Sequence, residues 1–252
     1  MGKKLKVLDL FSGIGGFSLG LERAKYEGGE YDGFETVAFC EIEEYPRRVL
    51  AKHWPDVPCY RDVRELTGER LASDGIAVDV ICGGFPCQDL SEAGERAGID
   101  GERSGLWREY ARLIGEIRPR IAIVENVPEL LSGAGGAWFA RVLGDLAALR
   151  YDAVWNCIQA ADLGASHIRD RIWLAALLPD AEGERFQQCW REQFAHRRNP
   201  AGDVHQWSPE PEPPRVADGV PNRMVRIRAL GNAVVPQIPE IIGNAILATV
   251  NT

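Results

Sequence analysis

Leu5-Lys6-Val7-Leu8-Asp9-Leu10-Phe11 is an apolar run that ends in Ser12-Gly13-Ile14-Gly15-Gly16, and helical spacing resumes from Phe17 to Ala24. A buried strand, a glycine-rich turn and a helix in succession form the first half of a βαβ unit. The same alternation continues along the chain. Strands are expected at Thr36 to Cys40, near Val57 to Tyr60, and at Val78 to Cys82, Arg120 to Val124, Ala153 to Ile158 and Arg171 to Leu178. Helices are expected from about Glu43 to His53, Leu106 to Ile117, Ala137 to Leu149 and Pro236 to Val250. This pattern predicts an α/β fold with a doubly wound, mostly parallel sheet and helices on both faces.

The 252 residues are 45% hydrophobic, enough for one large α/β domain. Its expected extent is 1–178 plus 229–252. From 179 to 228 the periodicity disappears into Pro, Arg, Gln and Trp, with Pro209-Glu210-Pro211-Glu212-Pro213-Pro214 as a linker-like run. The six cysteines (40, 59, 82, 87, 157 and 189) form no CxxC pair, and no histidine stands at zinc-ligand spacing, so no metal is expected. Met1-Gly2-Lys3-Lys4 leads straight into a strand, without the pattern of a signal peptide. No apolar stretch of the roughly 18 residues needed for a membrane span stands out. A reducing cytoplasmic compartment is the expectation.

The net charge of −8 alone argues against a nucleic-acid partner, but its distribution matters more. Residues 182–228 hold eight arginines against seven acids, whereas the remainder holds 21 basic against 30 acidic residues. Trp190, Phe194 and Trp207 are interleaved with those arginines, a mix that suits nucleic-acid contacts. The competing reading is a solvated insert.

In a doubly wound sheet, ligands bind in the crevice beyond the strand C-termini. The Asp9–Gly16 loop lies there, and it lacks the Lys-Ser/Thr pair of a P-loop. Glu41 ends the second strand, where an acid can hydrogen-bond a ribose. Asp62 follows the third strand and could bind an adenine amino group. Each acid alone reads as a helix cap or solvated residue; together, at successive strand ends, they point to a nucleoside cofactor. After the fourth strand comes Gly83-Gly84-Phe85-Pro86-Cys87-Gln88, a Pro-fixed turn that seats a thiol as nucleophile. The fifth strand ends in Glu125-Asn126-Val127-Pro128. If the fourth and fifth strands are neighbours, thiol and carboxyl share one crevice. A thiol that attacks an electron-poor ring needs such an acid to offset charge on that ring. The bland alternatives are a buried small hydrophobe for Cys87 and a helix-leading acid for Glu125.

These motifs, in this order, resemble those of the DNA (cytosine-5) methyltransferases of bacterial and bacteriophage type. Asp9–Gly16 resembles DLFxGxGG, Gly83–Ser91 (GGFPCQDLS) the nucleophile motif, and Glu125-Asn126-Val127 the ENV motif. Ser104-Gly105-Leu106-Trp107 fits the pattern after the cysteine loop. Arg169-Asp170-Arg171 resembles the end of QxRxR, and Gly231–Pro236 resembles GNxVxP. The resemblance implies the S-adenosylmethionine-dependent methyltransferase fold, with 179–228 as a short, irregular target-recognition region. It implies S-adenosylmethionine as cofactor, bound by Phe11, Gly13, Ile14, Gly15, Glu41, Asp62 and Asn232. It implies that Cys87 attacks a flipped cytosine while Glu125, Arg169 and Arg171 assist, on double-stranded DNA. A monomer and a cytoplasmic location follow by the same route, and a cognate restriction endonuclease is allowed as partner. His167 stands where the family has Gln, and the motif that packs the recognition region is reduced at most to Asn222–Arg228. Two other classes stay open: a tRNA cytosine-5 methyltransferase of the same fold, and a catalytically decayed DNA-binding homologue.

Overall fold

The Leu5–Leu10 run lies in β1 (Lys3–Leu10), whose last four residues are all buried. The computed structural model describes residues 2–86, 105–165, 167–179, 183–195 and 223–251. Cys87, the loop 88–104 with Arg96 and Arg103, and Arg197, Arg198 and Trp207 lie outside the described residues.

Around β1 is a seven-stranded sheet in the order β3-β2-β1-β4-β5-β7-β6. The other strands are β2 (Tyr31–Cys40), β3 (Cys59–Tyr60), β4 (Val80–Gly84), β5 (Ile121–Asn126), β6 (Asp152–Gln159) and β7 (Asp170–Leu177). β1 pairs in parallel with β2 and β4, β2 with β3, and β4 with β5. β7 alone runs against its neighbours, β5 and β6. The strand order turns back at β1 and β4, so the loops leaving their C-terminal ends diverge and open a crevice.

Strand side chains alternate between two cores. Leu8, Leu10, Ile81, Ala122 and Val124 face α4 (Leu106–Ile117), α6 (Ala137–Ala148) and Leu71 of α3 (Gly68–Ser73). Leu5, Val7, Val80, Ile121 and Ile123 face α1 (Gly16–Arg23), α7 (Gly183–Ala195) and α9 (Gln237–Val250). Burial of apolar residues on both faces explains the nearly continuous hydrophobic run of β5. The remaining helices are α2 (Glu44–His53), α5 (Glu129–Ser132) and α8 (Arg223–Asn232).

Two expectations need correction. The stretch Met224–Val250 is long and apolar enough by composition to cross a membrane. Ile238, Ile241, Ile242, Ile246 and Leu247 of that stretch are packed in the core, so α9 is apolar because it is a core helix. The second concerns α7, which lies within the stretch that lacked visible periodicity. Phe186 and Trp190, one turn apart, are both buried in the core on its side of the sheet. The Trp190 ring lies 5.7 Å from Phe186 and 5.0 Å from Phe194, while Arg185 and Arg191 point outward. The interleaving of arginines and aromatics is here the two faces of an amphipathic helix, and Trp190 is not a surface contact. Trp190→Ala should cost about 3–5 kcal/mol of stability in urea denaturation; a loss under about 0.5 kcal/mol would return the residue to the surface.

Candidate active site

At the end of β1 the chain turns through Phe11, Gly13 and Gly15 with φ of 52°, 53° and 86°. This left-handed backbone favours glycine, and Phe11 adopts it with its ring stacked on Tyr110 at 6.4 Å. The three glycines serve different ends. A Cβ on Gly13 would meet open space, so its freedom is conformational and its surface is available to a ligand. A Cβ on Gly15 would lie 2.7 Å from the Trp54 ring, and one on Gly16 would lie 2.6 Å from the Val234 carbonyl oxygen. Those two permit close packing of α2 and of the segment after α8. Ile14, between Gly13 and Gly15, is half-buried.

Glu41 holds this loop in place. Its Oε2 accepts from Gly13 N at 2.7 Å, and its Oε1 accepts from Glu43 N at 2.7 Å. One carboxylate thus staples the loop after β1 to the loop after β2, and each oxygen retains capacity for a further bond. Burial pushes its pKa up, opposed by the backbone N–H groups of Glu43 and Gly13. Ile42, between two glutamates, is 58% exposed, an apolar surface at the rim that carries no motif signal in the sequence. Asp62 accepts from Arg64 at Nη2 (2.6 Å), Nε (2.9 Å) and the backbone N (2.9 Å), and the Arg64 hydrogen bond lowers its pKa. Asn232 is exposed at the C-terminal end of α8; the residues after it, rather than its side chain, meet the glycine loop.

The second half of the site lies across β4 and β5. Gly83 presses against the Leu10 carbonyl, and Gly84 is in register with Glu125. A Cβ on Gly84 would lie 2.6 Å from Glu125 Oε2. Asn126 Nδ2 donates to the Phe85 carbonyl at 3.2 Å, and Asn126 Oδ1 accepts from Val127 N at 2.8 Å. This buried amide ties the end of β5 to the residue two before Cys87. Glu125 Oε1 lies 3.1 Å from Arg171 Nε. Burial raises the Glu125 pKa, and the cations of Arg171 and Arg169 hold it back.

Arg171 and Arg169 do not share a strand face. β7 begins at Asp170, so Arg169 stands in the preceding loop, where its Nη1 donates to the Gly231 carbonyl at 2.6 Å. Burial and then Arg171 lower the pKa of Arg169. It therefore joins the loop before β7 to the end of α8, and Arg171 is the arginine that meets the carboxyl. His167 is exposed on the same loop. A buried carboxyl raised toward neutrality beside a cation can present either an acceptor or a donor to a heterocycle edge.

Residues 5–214 match the family model of the C-5 cytosine-specific DNA methylases. The chain belongs to the C-5 cytosine-specific DNA methylase family. It is 36% identical over 189 residues to the type II methyltransferase M2.BsuMI of Bacillus subtilis, a match covering 73% of this chain and 45% of that protein. It is 37% identical over 171 residues to M.NgoMIV of Neisseria gonorrhoeae, covering 68% of this chain and 51% of that one. The chain thus spans about half the length of the curated relatives it matches. A prophage-encoded Escherichia coli protein assigned as a DNA modification methyltransferase superposes with a TM-score of 0.59 at 28% identity, over 73% of this chain and 50% of that one. The fold of the Entamoeba histolytica methyltransferase EhMeth is also similar, with a TM-score of 0.58 at 19% identity over 71% of this chain and 54% of that one. The fold is the Rossmann-like one of the S-adenosylmethionine-dependent methyltransferases.

Gly84→Ala should displace the Glu125 carboxyl from Arg171 and cost about 1–3 kcal/mol while the sheet still forms. A crystal structure of that variant with the ion pair unchanged would contradict the role of Gly84 as the space reserved for the carboxyl.

Proposed function

We propose that this chain transfers a methyl group from S-adenosylmethionine to carbon 5 of a cytosine flipped out of double-stranded DNA, through a covalent bond to Cys87. The observation that carries this reading is the buried Glu125 carboxyl, 3.1 Å from Arg171 and in register with Gly84, three residues before Cys87. Family membership supports the reaction class, and the relatives named type II methyltransferases support a restriction-modification role with a cognate endonuclease. The bacterial relatives support action in the cytoplasm of a bacterium, for a bacterial or bacteriophage protein.

The residues present fit the cofactor. Gly13 leaves open space over the loop, the two Glu41 oxygens can accept ribose hydroxyls, and exposed Ile42 offers an apolar surface to a purine. Phe11, Ile14, Gly15 and Asn232 would complete the pocket, with Asp62 on the adenine amino group. When bound, S-adenosylmethionine supplies an electrophilic sulfonium methyl.

In this mechanism the Cys87 thiolate bonds to carbon 6 of the flipped base, and the carbon 5–carbon 6 π pair shifts toward carbon 5 and the ring. Glu125, protonated or sharing a proton at nitrogen 3, offsets the charge that this shift places on the ring. Burial raises its pKa against the pull of Arg171 and Arg169, the direction that task needs. Carbon 5, now nucleophilic, would form a bond to the methyl carbon as the methyl–sulfur bond breaks, its electron pair staying on sulfur to leave a neutral thioether. Loss of the carbon 5 proton to a base and breakage of the carbon 6–sulfur bond return the thiolate and the aromatic ring. Arg171 orients Glu125 and reaches the ring carbonyl, with Arg169 beside it. The base must leave the helix for any of this to occur.

Cys87→Ala should abolish methyl transfer to duplex DNA and leave cofactor affinity intact by calorimetry. Glu41→Ala should weaken cofactor binding by about 1.5–3 kcal/mol, because a charge-assisted hydrogen bond is removed. Turnover by the Cys87 variant, or preference for tRNA over duplex DNA in competition, would overturn the assignment.

A further inference from the structure

Among the described helices, α8 stands apart. Met224, Val225, Arg226, Arg228, Leu230, Gly231 and Asn232 are all exposed, and only Ala229 among its described side chains is partly covered. Met224 is 75% and Leu230 66% exposed. A ten-residue helix is marginal in water unless something packs on it. α8 also lacks a one-sided apolar stripe, so no single face is marked for the core. Its charge is of one sign. Arg223, Arg226 and Arg228 stand in α8 without one acidic residue, in a chain of net charge −8.

Its position is fixed at the active rim. At its C-terminal end, the Gly231 carbonyl accepts from Arg169, which neighbours the Glu125–Arg171 pair. Just beyond, Val234 packs on Gly16 of the cofactor loop. On its flank, Arg228 lies 3.8 Å from Glu43, which leads into α2, with both side chains more than half exposed. So loose an ion pair leaves the guanidinium able to exchange partners. Ile168, 79% exposed and adjacent to Arg169, adds an apolar residue to the same rim.

The geometry points to α8 as a docking helix for the DNA backbone: Arg226 and Arg228 take phosphates of the duplex, and the Gly231–Arg169 bond sets the distance from that grip to the flipped base. The occupant is a polyanion because the charges α8 itself exposes are arginines, with Glu43 only loosely paired beside them, and it is large because the exposed surface runs around the helix rather than into a pocket. Phosphate contacts fix register and orientation without reading sequence. This inference rests on the proposed methylation of duplex DNA and assigns a surface to it.

The test uses the whole chain, S-adenosylhomocysteine and a fluorescein-labelled duplex of mixed sequence, with binding followed by anisotropy across a salt series. Arg226→Ala with Arg228→Ala should lower the slope of log affinity against log salt by roughly two, about one for each phosphate no longer neutralised. Cofactor affinity by calorimetry should not change. Arg226→Lys with Arg228→Lys should keep the wild-type slope, and Arg226→Ala alone should lower it by about one; the single variant decides the matter if the double variant no longer binds cofactor. Wild-type slope and affinity in the alanine variants, in a protein that does methylate duplex DNA, would overturn the docking role and leave the enzyme assignment standing. Arginine-dependent binding to anionic phosphatidylserine vesicles with an unchanged DNA slope would assign α8 to a membrane surface instead. A wild-type chain that neither binds nor methylates the duplex would overturn the enzyme assignment itself, and this inference with it.

Discussion

The contact on which the site depends is the ion pair between Glu125 and Arg171, and that pair depends on the reversed strand. Glu125 is at the C-terminal end of β5, where a parallel sheet places its functional loops. Arg171 is near the beginning of β7. Were β7 parallel to β5, its first residues would lie at the opposite rim, and the cation could not reach the carboxyl. The antiparallel ladder, with Glu125 opposite Trp173 and Asn126 opposite Ile172, brings the start of β7 to the rim where β5 ends. A buried carboxylate without this partner would carry an uncompensated desolvation cost, and removing one member of such a pair typically costs about 3–5 kcal/mol.

The rest of the site follows from close approach. Gly84 leaves the volume that Glu125 occupies, Gly83 lets β4 press against the end of β1, and Gly16 admits the segment after α8. Glu41 then joins two loops that come from different strands, and Asn126 joins β5 to the turn that leads to Cys87. The same groups position the loops and face the ligand crevice. Burial raises the pKa of both Glu41 and Glu125, and for Glu125 that is the direction a charge-compensating acid needs.

Much of this was legible in the sequence. Among the described residues, the alternation of periodicities located every strand and most helices, and the loops after β1, β2 and β4 marked the crevice, because apolar runs and glycine turns are local signals. Strand direction was not legible: the period of two is identical in parallel and antiparallel strands, so the reversal of β7 is set by tertiary pairing. α7 escaped notice because its apolar residues at 186, 190 and 194 are isolated among Gln, Arg and Glu, and only burial shows them as one stripe. Ile42 carries no motif and stands out only by exposure beside a buried acid.

The central claim is that Cys87 and Glu125 act on one flipped cytosine. The most direct measurement is covalent trapping on duplex DNA carrying 5-fluorocytosine with S-adenosylmethionine present, followed by peptide mass spectrometry. Fluorine cannot leave as a proton does, so the account predicts a denaturation-resistant adduct at Cys87, with a methyl group on carbon 5. No adduct from a folded, cofactor-binding protein, or an adduct that maps to a different residue, would contradict it.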